Sequence, residues 1–279
     1  MIRPSKKLST KFVFLVNYFQ SIYNSFLSNT KLKSCLLCNE ITRNSLTICP
    51  PCLSDLPWNK HACRLCALPI TLDKKPFTQF ENTSAFVCGE CIKSLPPFTR
   101  SICAFHYNFP VDKLIQQVKY HNKQYWLSSL CHLLSEEIAM TYLNDEYPNT
   151  LIPVPMHPKK KRIRTYNQAE IISLKLSQKL RIPTHSKLLK KIKLTDAQAG
   201  LDKAHRIRNL KGSIIVAPER ITRDIKGKHL ALIDDVMTTR ATAELASKLL
   251  LKAGARRVDI WCIARTPKKR DLSTGSNQF

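Results

Sequence analysis

Leu230-Ala231-Leu232-Ile233-Asp234-Asp235-Val236-Met237-Thr238-Thr239-Arg240-Ala241-Thr242 is the stretch on which the reading of this chain turns. Its apolar first half is a buried strand, which ends in two adjacent acids and a hydroxyl-rich turn that opens a helix. In open α/β sheets, ligands bind beyond the carboxyl ends of the strands. Asp234 and Asp235 therefore stand where carboxylates accept hydrogen bonds from sugar hydroxyls, directly or through Mg²⁺. Thr238, Thr239 and Thr242, together with the free amides of the helix start, form a candidate phosphate cradle.

The flanking sequence supplies the sheet. Ala241 to Ala253 reads as a helix stopped by Gly254, and Val258 to Ile263 as a further strand. Upstream, Leu151-Ile152-Pro153-Val154-Pro155 is a short buried strand whose prolines force an extended exit. Ile171, Leu174, Leu176 and Leu180 mark a helix starting near Tyr166, and Ile214-Ile215-Val216 another strand. Ile102 to Tyr107 is strand-like; Val111, Leu114, Ile115 and Val118 form a helical stripe, and Trp126 to Tyr142 a second helix. Strands alternating with helices imply an α/β fold built on a parallel sheet. Only six glycines occur, and none are spaced as a Walker A loop or a dinucleotide fingerprint.

Ahead of this region lie four Cys-x-x-Cys knuckles: Cys35/Cys38, Cys49/Cys52, Cys63/Cys66 and Cys88/Cys91. Such a knuckle points two sulfurs at one ion about 2.3 Å away, so eight thiolates make two all-cysteine structural Zn²⁺ sites. The gaps of ten and 21 residues suit sequential pairing, although a crossed arrangement satisfies the same count. Cys103, Cys131 and Cys262 are isolated and read as packing residues. Leu95-Pro96-Pro97-Phe98 reads as a linker, dividing the chain into an N-terminal segment 1–34, a double ribbon 35–95 and an α/β domain 96–279.

In the N-terminal segment, Phe12, Leu15, Val16, Phe19, Ile22, Tyr23 and Phe26 follow helical spacing, an amphipathic stripe expected to pack on its own protein. Asn17, Gln20, Ser21 and Asn24 make it too polar for a signal-peptide core or a transmembrane segment, so a cytoplasmic location is expected. Charge is uneven. Of the net +25, residues 1–150 carry 16 basic and 10 acidic side chains and residues 151–279 carry 29 and 10. A field of that sign favours polyanionic ligands, and Lys159-Lys160-Lys161, Lys187, Lys190-Lys191, Lys193 and Lys268-Lys269-Arg270 are its clusters.

The acid-pair segment resembles the signature of type I phosphoribosyltransferases, which bind 5-phosphoribosyl-1-pyrophosphate with Mg²⁺. Further blocks narrow the resemblance. Pro153-Val154-Pro155-Met156-His157-Pro158 with Arg162, Arg164 and Tyr166-Asn167-Gln168-Ala169-Glu170 is similar to a conserved segment of the ComF/GntX family. Gln198, Gly200-Leu201 and Arg206 to Gly212 resemble a second block, and the four knuckles the family's double zinc ribbon. The resemblance implies that Asp234 and Asp235 hold the ribose hydroxyls and Mg²⁺ while Val236, Met237, Thr238, Thr239, Arg240, Ala241 and Thr242 wrap the 5-phosphate. It further implies that Pro155 belongs to a pyrophosphate-contacting turn, that Arg162, Asn167 and Gln168 lie near a closing loop, and that Arg164 neutralises the leaving pyrophosphate. Competence-related DNA uptake is the implied setting, with single-stranded DNA and other competence proteins as partners. A scaffold that binds DNA without turnover is the competing expectation. Two positions depart from the family pattern: Arg240 and Thr165 stand where it has glycine. Arg240 is expected either to strain the turn or to add a phosphate contact.

Overall fold

A computed structural model of the chain describes residues 32–43, 46–70, 86–121, 123, 125–194, 212–218 and 221–268. The amphipathic stripe of residues 12–26, the Gln198 to Lys211 part of the second block, and Lys269 and Arg270 lie outside these residues. The chain divides into two compact units, Met1–Asp55 with Leu143–Asp145, and Leu56–Tyr142 with Glu146–Phe279.

The first unit is small. Strand β1 (Lys33–Ser34) pairs antiparallel with β2 (Ile41–Thr42), and helix α1 (Pro50–Ser54) opens on prolines, which lack the amide that a first turn leaves unpaired. Between the strands the chain reverses through Asn39, whose φ is 65° and whose amide donates to the Cys35 carbonyl at 2.9 Å.

The second unit holds a four-stranded parallel sheet in the order β3 (Arg100–His106), β8 (Arg257–Arg265), β7 (His229–Met237) and β4 (Thr150–Pro153). The α/β class with a parallel sheet, expected from the sequence, is what the chain adopts. Leu230 to Ile233 and Ile260 to Ala264 are buried without the polar alternation of a half-exposed strand, as a sheet covered on both faces requires. Helix α2 (Gly89–Lys93) precedes the sheet; α3 (Val111–His121) and α4 (Trp126–Thr141) connect β3 to β4. After β4 come α5 (Pro158–Arg164) and α6 (Gln168–Leu180), and α7 (Ala241–Lys252) joins β7 to β8. The α4 helix packs on β3 and β8, and α6 on β4 and β7. The isolated cysteines Cys103, Cys131 and Cys262 are buried, the first and last facing each other across β3 and β8.

One strand differs from the sequence reading. Ile214–Val216 (β6) does not join the parallel sheet; it pairs antiparallel with β5 (Leu189–Lys191) in a separate ribbon. A three-residue apolar run carries no information about its partner, and here a nearby strand of equal length takes its backbone groups. At the amino end of the sheet, Asp259 is fully buried among the Tyr142 hydroxyl, His229 Nε2 at 3.0 Å and Arg257 Nη2 at 2.8 Å. Burial alone would raise this carboxyl, but the hydrogen bonds from His229, Arg257 and Tyr142 outweigh it and hold it below the ordinary range.

Candidate phosphate site and metal centres

The eight knuckle cysteines gather as Cys35, Cys38, Cys49 and Cys52 in the first unit and Cys63, Cys66, Cys88 and Cys91 in the second, so the pairing is sequential. Within each group the sulfurs lie within 4.8 Å of one another, Cys38–Cys49 and Cys66–Cys88 at 3.6 Å. Sulfurs on a tetrahedron with arms of about 2.3 Å stand about 3.8 Å apart, so both donor sets fit zinc. Backbone amides prepare the thiolates: Cys49 N–H points at Cys35 Sγ and Cys88 N–H at Cys63 Sγ, both at 3.3 Å. Burial works against ionising Cys35, yet the amides of Cys38, Cys49 and Leu37 prevail and bring it down to about 6.

The acid pair lies near the carboxyl end of β7, as the sequence placed it. Asp235 N–H donates to Asp234 Oδ1 at 2.9 Å and Val236 N–H to Asp235 Oδ1 at 2.8 Å, which fixes both carboxylates. Burial and the neighbouring Asp235 charge push Asp234 up to about 7. Two hard carboxylates at one strand end form a donor set suited to Mg²⁺. The other oxygen of Asp235 is taken by Lys119 Nζ at 2.7 Å, contributed by α3. Burial disfavours that ammonium, but Asp235 and then Asp234 raise its pKa. Sequence reasoning passed over Lys119, because one lysine four residues after Ile115, at the edge of the apolar stripe, does not say which charge it meets.

The turn beyond β7 is held from beneath. Arg265, the last residue of β8, is 4% exposed; its Nη1 donates to Met237 O and Thr266 O, both at 2.9 Å, and to Thr238 O. Thr238 is exposed and Thr239 and Thr242 are half-buried, while α7 starts with no side-chain cap on its free amides. Arg240 and Thr165, the residues standing in for glycine, both have φ of 66°, the left-handed region that glycine occupies without strain. The Arg240 side chain does not reach toward the turn's open side. It is buried, and Nη1 donates to Cys91 Sγ at 2.8 Å, with Glu244 Oε1 3.3 Å from Nε. The expected phosphate contact from its guanidinium is therefore corrected, because the left-handed backbone and the buried sulfur cluster draw it inward.

Asn167 and Gln168 are also buried rather than presented to a ligand. Asn167 caps α6 by accepting from Ala169 N–H at 3.1 Å, and its Nδ2 donates to Val154 O at 3.0 Å, tying the turn after β4. His157 caps α5, accepting from Lys159 N–H. Arg164 lies over the Tyr120 ring at 5.5 Å, and Arg162 is exposed. Two cavities flank α5. One, of about 750 Å³, is lined by Pro155, His157, Lys161, Arg162, Lys190 and Lys191. The other, of about 450 Å³, is lined by Lys119, Tyr120, Lys160, Arg164 and Tyr166. Neither wall includes the Thr238–Thr242 turn; Lys119 is the link between the smaller cavity and Asp235. Lys191 is lowered by burial and by Lys160 and partly held by Asp234, so the basic walls and the acid pair share one electrostatic field. Among the described residues, no helix is long and apolar enough to cross a membrane.

A parallel α/β unit together with two four-cysteine clusters defines the class, an α/β protein carrying zinc-ribbon knuckles. Residues 32–79 match the double zinc ribbon domain family. The chain is 35% identical to competence protein F of Haemophilus influenzae over 182 residues, covering 64% of this chain and 78% of that one. It is 29% identical to DNA utilization protein YhgH of Escherichia coli (strain K12) over 234 residues, 83% of this chain and 90% of the relative. A purine phosphoribosyltransferase from Pyrococcus horikoshii overlaps 50% of this chain and 73% of its own at 20% identity and a TM-score of 0.31. The chain belongs to the competence protein F family.

Proposed function

We propose that the second unit binds phosphoribosyl pyrophosphate with Mg²⁺ at the carboxyl end of β7 and serves competence-related uptake or use of DNA. One observation carries this reading: β7 carries the fixed Asp234/Asp235 pair near its carboxyl end and passes through Thr238 to Thr242 into the uncapped start of α7. Asp234 and Asp235 accept from the ribose hydroxyls, and the first-turn amides with Thr239 and Thr242 receive the 5-phosphate. Mg²⁺, held through Asp234 and Asp235, supplies charge neutralisation for the pyrophosphate. Lys119 and Arg164, in the adjoining cavity, stabilise the negative charge that develops as pyrophosphate leaves C1 of the sugar to an attacking acceptor. That the Arg240 side chain is buried elsewhere supports an open turn despite the lost glycine. The relatives bear names of competence and DNA utilization, and the excess of 29 basic over 10 acidic side chains in residues 151–279 supports a polyanion as partner.

The test is calorimetric titration of zinc-loaded protein with Mg²⁺ and phosphoribosyl pyrophosphate, beside Asp235→Asn. Saturable binding by the native chain and none by the variant is expected; equal affinities remove the carboxylate assignment. Single-stranded DNA affinity is expected to fall steeply as salt rises from about 50 to 200 mM. Salt-independent binding, or none at the lower salt, removes the DNA role.

A further inference from the structure

The phosphate turn and the second cysteine cluster are joined by two buried arginines. Arg265 donates from Nε to Cys66 O at 3.0 Å and from Nη1 to Met237 O at 2.9 Å, so one guanidinium holds both a knuckle and the start of the turn. Arg240, at the end of the turn, donates to Cys91 Sγ at 2.8 Å. Each arginine is 4% exposed. The turn Met237–Arg240 is thus nailed at both ends to the third and fourth knuckles, through contacts that span 149 positions of chain for Arg240–Cys91 and 199 for Arg265–Cys66.

A buried guanidinium needs a compensating negative charge. Glu244 and Glu90 contribute to that balance for Arg240, at 3.3 and 3.9 Å, but both keep contact with solvent. Cys91 Sγ is nearer and fully buried. A neutral thiol is a weak acceptor, whereas four thiolates around a divalent ion leave a net negative charge. The donor set fits zinc on the sulfur spacing given above, and Arg240 then lies on the outside of a metal–thiolate centre, where such partners tune affinity. The backbone adds a second link. Arg240 sits at a φ of 66°, a left-handed conformation uncommon for a residue with a side chain, and its buried guanidinium contacts hold it there.

We infer that Arg240 is a positioning residue through which metal occupancy at Cys63, Cys66, Cys88 and Cys91 sets the order of the β7–α7 turn. By linkage, a ligand in that turn must tighten the metal by the same factor by which the metal tightens the ligand; this second half rests on the function proposed above. The first cluster has no part in the mechanism and serves as an internal control.

The experiment uses the full, zinc-loaded chain and its Arg240→Gly and Arg240→Lys variants. Zinc release to a chromogenic chelator is followed beside hydrogen exchange of peptides spanning residues 237–242. In Arg240→Gly, which keeps the left-handed backbone and removes the contact, one of the two zinc ions is expected to be held more weakly by roughly 10-fold or more. The other is unchanged, and exchange across the turn rises. Arg240→Lys keeps a cation there and is expected to recover part of both losses. Zinc release identical to the native chain, or a change in only one of the two readouts, overturns the coupling. Mg²⁺ with phosphoribosyl pyrophosphate is expected to slow release of that same zinc ion. Binding without any effect on release overturns the linkage to ligand. If nothing binds, the proposed function falls while zinc release and exchange still decide the metal–turn coupling.

Discussion

Lys119→Met is the most informative single change to the acid pair. Lys119 Nζ is 2.7 Å from Asp235 Oδ2, with the two side chains 20% and 13% exposed. A charge-assisted bond between partners this sheltered contributes about 1.5–3 kcal/mol, and residual solvent contact argues for about 2 kcal/mol. In metal-free protein the variant should lose about that much. For a folded unit of this size the loss lowers Tm by about 4–8 °C. The effect on Mg²⁺ should have the opposite sign. Asp235 Oδ1 already accepts from Val236 N–H, so a cation that engages this carboxylate must take the oxygen Lys119 now holds. With methionine in place that competition ends, and about 2 kcal/mol corresponds to affinity higher by about 30-fold at most. Titration calorimetry with Mg²⁺ alone and thermal melts with and without Mg²⁺ measure both quantities. A variant that melts lower yet binds Mg²⁺ no more tightly would refute the reasoning, because Asp235 would then not be a cation ligand.

Three further outcomes are expected. Asp259 is held below the ordinary carboxyl range in the folded state, so it contributes stability above its unfolded pKa of about 3.9 that is lost as pH falls through the folded value. Asp259→Asn should therefore cost about 3–5 kcal/mol at pH 7 and less below about pH 4, read by urea unfolding across that window. Thr165, a β-branched residue at φ 66°, should be relieved by Thr165→Gly, raising stability by about 1 kcal/mol in the same assay. Metal analysis should find two zinc ions per chain, and Cys35→Ser and Cys63→Ser one each. Only Cys63→Ser should lower the main thermal transition, because its cluster lies within the sheet unit.

The parts legible in the sequence share one property: their signal is local. Leu230 to Met237 could be read as a buried strand ending in acids because its unbroken apolar run and its carboxylates are adjacent in the chain. Asn167 followed by the α6 pattern is an N-cap signal of the same kind, but an asparagine beside a candidate closing loop carries a second meaning, and the sequence does not choose between them. The glycine positions of the family pattern coincide with Thr165 and Arg240, both left-handed, so the departure was visible and its geometric reason sound. The destination of the Arg240 side chain was not visible, because Cys91 lies 149 residues away.

Spacing and hydropathy along the chain thus determined the knuckles, the parallel-sheet class, and the strand, acid pair and turn of the site. Only the tertiary structure decided that the knuckles pair in sequence, that β6 leaves the sheet for β5, that Lys119 neutralises Asp235, and that two arginines bind the turn to the second cluster. The physical reason is the same in each case. Periodicity sets which side of an element is buried, whereas the partner a charge or a sulfur finds depends on which distant elements packing brings within about 3 Å.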